Sequence, residues 1–303
     1  MTEAAAETVE TFTASDGYRW RYRHYPAAGP RARVVCLHGI QSHSGWYQHS
    51  CRRLAQAGYD VSFLDRRGSG LNEQDRGDAP GFRRLLDDVA EFLRPLRNAP
   101  LTPNPSPPKR GRGGQEAAPL FLLAISWGGK LAAALQRRHP GLADGLALLC
   151  PGFCPRVAPS RSERLKILWA RLTAPQRLFP VPLNDPELFT ATPRWQQFVR
   201  DDPLALREAT ARLLVESARL DGYLLWAARA VRAPVLLLLA ERDRVIDNAR
   251  TRAFVGRFPA ETEIIEYPGA HHTLEFEPDP KSWLGDLLAW LGRQTALVTT
   301  RCH

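Results

Sequence analysis

Ser126 stands where the chain changes character. The stretch "FLLAISWGGKLAAAL", from Phe121, begins as an apolar run of strand length and continues as a helix-forming one. A serine on so tight a strand-to-helix turn projects its hydroxyl from the carboxyl end of a sheet, where it can attack a carbonyl carbon. Such a turn leaves little room for side chains two residues to either side. Gly128 meets that need at +2. Ala124 meets it at −2, one methyl group larger than the glycine of the usual G-x-S-x-G pattern. An N-capping serine would explain the hydroxyl but not the small residues on both sides of it.

A serine nucleophile needs a base, and the base needs an orienting carboxylate. The strand "PVLLLLA" runs straight into "ERDRVID", which puts Asp243 three residues past the strand end. Asp247 is better placed to cap the following helix, and Glu241 is still close to the strand. After "TEIIEY" the turn "PGA" delivers His271 and His272. The fourth requirement is a pair of donors for the oxyanion. "VVCLHGIQSHSGWY" sets His38 and Gly39 directly after a strand, so the expected donors are the backbone N–H groups of Ile40 and of Trp127, which follows the nucleophile. His38 and His43 are read as fixing that loop by hydrogen bonds rather than as metal ligands. The chemistry is acyl transfer, and it requires no cofactor and no metal. An aspartate in place of Ser126 would instead have indicated dehalogenase or epoxide chemistry.

These groups must be held by regular elements, and the chain supplies them in alternation. "TVETFTA" and "YRWRYRHY", joined through Asp16-Gly17, read as a β-hairpin. Strand and helix signals then alternate: "RVVCLHG", a helix closed by Gly58, "YDVSFLDRRG", the helix "PGFRRLLDDVAEFLRPLR", "PLFLLAIS", "WGGKLAAALQRRHP" and "ADGLALLCPGF". The rhythm resumes with "APVLLLLAERD", a helix from about Asn248, "TEIIEYPGA" and a last helix "DPKSWLGDLLAWLGRQ". Apolar strands without alternation are buried on both faces, which implies a mostly parallel α/β sheet covered by helices. Two segments break the pattern. Residues 101–118, rich in Pro, Gly and Arg, read as a disordered surface insertion. Residues 152–232 fall between two core strands and read as an inserted helical cap or lid, leaving 1–151 and 233–303 as the core. Within the cap, Leu165, Leu168, Trp169 and Leu172 recur at helical spacing beside Arg164, Lys166 and Arg171, an apolar face with basic flanks.

Composition sets outer bounds. The 303 residues, 44% hydrophobic and 24% charged, suit a globular protein with a sizeable core. The N-terminus lacks the basic and apolar pattern of a signal peptide, and five cysteines, an odd number, suggest a reducing cytoplasm rather than a disulfide framework. Cys150 and Cys154 lack further ligands at zinc spacing. The net charge of +9 comes mostly from arginines scattered among carboxylates, without the clustered stripe of a nucleic-acid binder, although it would favour weak contact with anionic lipid.

Taken together, "LHGIQSHSGWY", "DRRGSGLN", "AISWGG", "ERDRVID" and "YPGAHH" resemble the α/β-hydrolase fold family, and within it the monoacylglycerol lipase and lysophospholipase branch. The likeness runs from about Arg33 to Leu291 and includes "LNDPELFTATPRWQQFVRDDPLAL" of the cap, but not the Pro/Gly/Arg-rich segment. It implies Ser126 as nucleophile, Asp243 as acid and His272 as base. His272 is preferred to His271 because the family's histidine follows "GA" and one variable residue. The expectation is a cytoplasmic serine hydrolase of carboxylic esters, of monoacylglycerol or lysophospholipid type, with possible peripheral membrane contact through the cap and no nucleic-acid partner. A small-molecule esterase, a peptidase or a carbon–carbon bond hydrolase could use the same triad. An inactive binding protein on the same fold is the alternative outside enzymes.

Overall fold

The computed structural model describes residues 6–101 and 118–301, so most of the segment read as an insertion lies outside the described residues. The chain opens with the hairpin β1 (Thr8–Thr13) and β2 (Arg19–Tyr25), antiparallel, turning at Gly17. There follow β3 (Ala32–Leu37), α1 (Gln48–Gln56), β4 (Tyr59–Leu64), α2 (Phe82–Asn98), β5 (Leu120–Ile125), α3 (Trp127–Arg138) and β6 (Gly145–Leu149). Between β6 and the next core strand lie α4 (Arg161–Thr173), β7 (Leu178–Pro180), α5 (Pro193–Asp201), β8 (Glu208–Thr210) and α6 (Ala211–Ala227). The chain closes with β9 (Val235–Ala240), α7 (Asn248–Val255), β10 (Thr262–Tyr267) and α8 (Lys281–Arg301).

Eight strands form one sheet in the order β1-β2-β4-β3-β5-β6-β9-β10. From β4 to β10 every neighbouring pair is parallel; only β2, antiparallel to both β1 and β4, runs against the rest. The central strands β3, β5, β6 and β9 are buried along their whole length, which is why their sequences show no alternation. Strand order reverses between β3 and β5. Crossovers leave these two neighbours in opposite directions, so a crevice opens beyond their carboxyl ends. Leu37 pairs with Ala124 across them, so the residues after both strands emerge side by side.

Helices cover both faces. The buried side of α2 carries Leu85, Leu86, Val89, Phe92 and Leu93, and Phe92 meets Phe12, Trp20 and Tyr22 of the hairpin with ring centroids 4.9–5.6 Å apart. On α8, Trp290 packs on Phe121 at 6.0 Å. The intervening segment 152–232 is not helical throughout: β7 and β8 form a small antiparallel sheet of three residues each. The last helix also runs about two turns beyond "GRQ", to Arg301. Among the described residues no helix is long and apolar enough to cross a membrane.

Candidate active site

At the end of β5 the backbone of Ser126 takes φ 50° and ψ −120°, a left-handed conformation that costs a non-glycine residue about 1–2 kcal/mol. The surroundings hold it there. Ser126 N–H donates to the Leu149 carbonyl at 2.9 Å, and its own carbonyl accepts from Gly129 and Gly152 at 3.0 and 2.8 Å. Small residues are needed as the sequence suggested. A β-carbon on Gly128 would lie 2.5 Å from the Leu37 carbonyl oxygen and 2.7 Å from that of His38. Ala124, paired with Leu37 of β3 and Leu148 of β6, is fully buried. Ser126 occupies the capping position of α3 without making a side-chain cap bond. Its hydroxyl points elsewhere.

That direction is towards His272, whose Nε2 lies 3.0 Å from Ser126 Oγ. His272 Nδ1–H donates to Asp243 Oδ2 at 2.7 Å, which leaves Nε2 as the acceptor of the serine proton. The other oxygen of Asp243 accepts the N–H groups of Val245 and Ile246 at 2.8 and 2.9 Å. Serine, histidine and aspartate thus converge from the ends of β5, β10 and β9, and all three are buried. His271 faces away: its backbone N–H and its ring meet Glu277 at 2.8 and 3.1 Å. Asp247 caps α7, accepting from Arg250 N–H.

Ile40 and Trp127 line the same cavity as Ser126. Among the described residues, neither backbone N–H donates to a protein acceptor in the surrounding turns. The loop that carries Ile40 is oriented from behind. His38 Nδ1–H donates to the Gly39 carbonyl at 2.6 Å, and the Arg66 guanidinium donates to the Gly39 and Ile40 carbonyls at 3.1 and 2.9 Å. In a trans peptide the N–H and C=O point opposite ways, so fixing the Gly39 carbonyl turns the Ile40 N–H away from His38 and Arg66. Gly39 itself must be small, since a β-carbon there would approach Ser126 Cβ to 3.3 Å. Burial and the neighbouring Arg66 charge hold His38 well below the ordinary histidine range, so it is neutral, with Nε2 accepting Arg66 N–H at 2.9 Å. Burial also lowers Arg66, to about 10, which leaves it charged at neutral pH, stacked on the Trp127 ring at 4.8 Å.

His43, read in the sequence as fixing this loop, does so with partners the sequence did not reveal. His43 Nδ1 accepts Gly45 N–H and its Nε2 meets Asp202 at 2.8 Å; Trp46 Nε1–H donates to the same carboxylate oxygen at 2.6 Å. Burial alone would raise Asp202, but these bonds outweigh it and hold the acid below its usual value. Asp202 thereby ties the segment 152–232 to the loop after β3. Cys150 Sγ lies within 4.8 Å of the Asp243 and His272 side-chain atoms. Burial, then the Asp243 charge, pushes its thiol well above the usual range, so it sits beside the carboxylate as a neutral thiol. The four cysteines among the described residues are free thiols.

The cavity in front of Ser126 has a volume of about 430 Å³ and is mostly apolar, with Val157, Ile167, Leu168, Val181, Leu214 and Val215 in its walls. A parallel sheet with a strained serine turn after its central strand, facing a histidine and an aspartate from later strands, defines the α/β-hydrolase fold class. Within that class the chain belongs to the family described as serine aminopeptidase, S33, which matches residues 28–279. It is 28% identical to a monoacylglycerol lipase of Mycolicibacterium smegmatis over 297 residues, covering 95% of this chain and 98% of that protein. It is also 28% identical to lysophospholipase L2 of Escherichia coli, covering 86% of this chain and 78% of the relative. In fold it superposes on the monoacylglycerol lipase of Paleococcus ferrophilus with a TM-score of 0.77 at 20% identity, covering 94% of this chain and 99% of the other. A soluble variant of monoglyceride lipase from Saccharomyces cerevisiae, in complex with a substrate analog, gives 0.78 at 18% identity, with 96% and 98% covered.

Proposed function

We propose that this hydrolase cleaves carboxylic esters with Ser126 as nucleophile, His272 as base and Asp243 as its orienting acid, on substrates of monoacylglycerol or lysophospholipid type. As Ser126 Oγ attacks the ester carbonyl, its proton passes to His272 Nε2, and Asp243 stabilises the imidazolium that forms. The amides of Ile40 and Trp127 hold the oxyanion. His272 then protonates the departing alkoxide, and water, activated by the same imidazole, releases the carboxylic acid and restores Ser126. The observation that carries this reading is the continuous line from Ser126 Oγ through His272 to Asp243, at 3.0 and 2.7 Å.

The substrate class rests on the cavity and the relatives together. An apolar chamber of about 430 Å³ suits an acyl chain. An aminopeptidase would need a free carboxylate to anchor the substrate ammonium. Among the described residues the only acid in the cavity wall is Asp221, and Lys130 already lies against it at 2.5 Å. We place the cap at 152–232, over the serine, and assign to α4 a weak peripheral contact with membrane. Its Leu165, Trp169 and Leu172 are 69%, 68% and 80% exposed, and Leu168 of the same helix lines the cavity. The deciding experiment is labelling with a fluorophosphonate probe. The adduct is expected on Ser126, with loss of ester hydrolysis in proportion; an adduct elsewhere, or none, would remove the basis of the proposal.

A further inference from the structure

Apart from Ser126 itself and the exposed Arg164, the polar groups of the cavity in front of Ser126 gather in one corner, where α3 and α6 face each other. Lys130 lies one helical turn beyond the nucleophile and is buried. Its Nζ is 2.5 Å from Asp221 Oδ1 on α6. The Lys130 side chain is buried, whereas that of Asp221 is 43% exposed; Asp221 Oδ1 is closed off against the ammonium, which leaves Oδ2 as the open acceptor, and neither side chain has another protein partner among the described residues. Ser217, one turn before Asp221, accepts the Trp127 indole N–H at 2.8 Å and keeps its own O–H available to donate. The corner lines the same cavity as Ser126.

Withdrawing the Lys130 ammonium from water is costly, and a single contact to a carboxylate that stays partly accessible recovers little of that cost. As a tie between two helices it is a poor device. As a ligand site it makes sense, because the ammonium has hydrogens left to donate and the carboxylate has lone pairs left to accept. What fits such a corner is a group that is itself both donor and acceptor. We propose that Lys130, Ser217 and Asp221 form the subsite for the alcohol part of the substrate, and that they select an uncharged head group with adjacent hydroxyls, as in a monoacylglycerol, over an anionic phosphodiester. Two neighbouring hydroxyls donate to the Asp221 carboxylate while their oxygens accept from Lys130 and Ser217. A phosphodiester would bring its negative charge against Asp221, and the Lys130 charge that could receive it is already balanced. Arg164 also reaches the cavity, but it is exposed and donates to the Pro159 carbonyl at 2.9 Å.

This inference rests on the ester-hydrolase reading, and one set of substrates separates the two. The purified protein is assayed on a decanoyl monoacylglycerol, a decanoyl lysophospholipid and p-nitrophenyl decanoate, which has no polyol head. The natural protein is expected to prefer the monoacylglycerol to the lysophospholipid. Asp221→Asn and Lys130→Met are expected to lower the ratio of kcat/KM for monoacylglycerol to that for the p-nitrophenyl ester by roughly 10- to 100-fold, as loss of hydrogen bonds to charged partners implies. Because each single change leaves a lone charge, the double variant Lys130→Met, Asp221→Leu is tested as well. It removes the pair without stranding either ion, and it should show the same fall in ratio. An unchanged ratio with all rates lowered alike would make the pair a structural tie and overturn the proposal. So would a natural preference for the lysophospholipid that Lys130→Met abolishes, which would make Lys130 and Arg164 a phosphate clamp. Hydrolysis of none of the three would overturn the ester reading itself, and this inference with it.

Discussion

Ser126 departs from favourable backbone geometry, and the hydrogen bonds that hold it there also aim its hydroxyl at His272. In the proposed mechanism the three side chains act as one proton-transfer unit, so removing any of them should disable the whole. Ser126→Ala, Asp243→Asn and His272→Ala are each expected to lower kcat/KM for ester hydrolysis by roughly three to six orders of magnitude. His271→Ala should keep most of the activity, since that ring is spent on Glu277. Steady-state rates on a common chromogenic ester check this, and an inactive His271→Ala beside an active His272→Ala would reverse the assignment of the base. At this scale the sequence was informative where the constraint is local. A strained turn demands small neighbours, so Gly128 and Ala124 mark Ser126 without any knowledge of the fold. Asp202, Cys150 and Arg66 carry no such mark. His43 and Asp202 stand 159 positions apart, and only the folded chain brings them together.

Helix α4 shows what periodicity can and cannot reveal. Spacing alone identified Leu165, Leu168, Trp169 and Leu172 as one face, but the same pattern would suit a helix packed on its neighbours. The structure leaves Leu165, Trp169 and Leu172 exposed, sets Leu168 at the edge of the cavity, and buries Ile167 and Ala170 instead, with Phe179 and Ala211. Which side of a helix finds a partner depends on tertiary contacts that no window of sequence contains. The strands β7 and β8, three residues each, were missed for the same reason. Leaving a large apolar side chain in water forgoes about 1.5–3 kcal/mol, and a lipid surface could recover it, with Arg161, Arg164, Lys166 and Arg171 on the same helix to meet anionic head groups. Trp169→Asp with Leu172→Asp is therefore expected to weaken sedimentation with anionic vesicles at least tenfold. It should depress turnover of long-chain, aggregated substrate far more than of a short-chain ester in solution. Both residues are exposed, so global stability should change by less than about 0.5 kcal/mol. Equal losses on both substrates would mean that the change disturbs the helix rather than its docking.

For the molecule as a whole, the alternation of strands and helices was enough to imply a parallel sheet, because each crossover leaves a readable apolar strand and an amphipathic helix. The cost of closing the fold around its site was not readable, and Glu275 is the clearest case. It lies three residues past His272, where α1 and the loop after β10 meet. Ser50 N–H donates to one carboxylate oxygen at 3.1 Å, and the other is buried without a partner. Burial pushes the acid up to about 7, opposed only in part by the bonds from Ser50. An acid whose folded value is raised binds its proton more tightly in the folded state than in the unfolded one. Its contribution to stability is therefore full below about 4.5, falls as pH rises from there to about 7, and is constant above. The loss across that window is on the order of 3 kcal/mol. Glu275→Gln keeps an oxygen to accept from Ser50 and carries no charge at any pH. The amide's unpartnered N–H₂ imposes a penalty of its own, but one that does not vary with pH. Denaturant unfolding of both proteins between pH 4.5 and 8 tests this. The stability of Glu275→Gln relative to the natural protein should climb through that window and level off above about 7. His24, raised chiefly by its bond to Asp60, titrates in both proteins and cancels in the difference. Parallel stability curves would mean that Glu275 ionises as an ordinary surface carboxylate and that its burial costs the fold nothing.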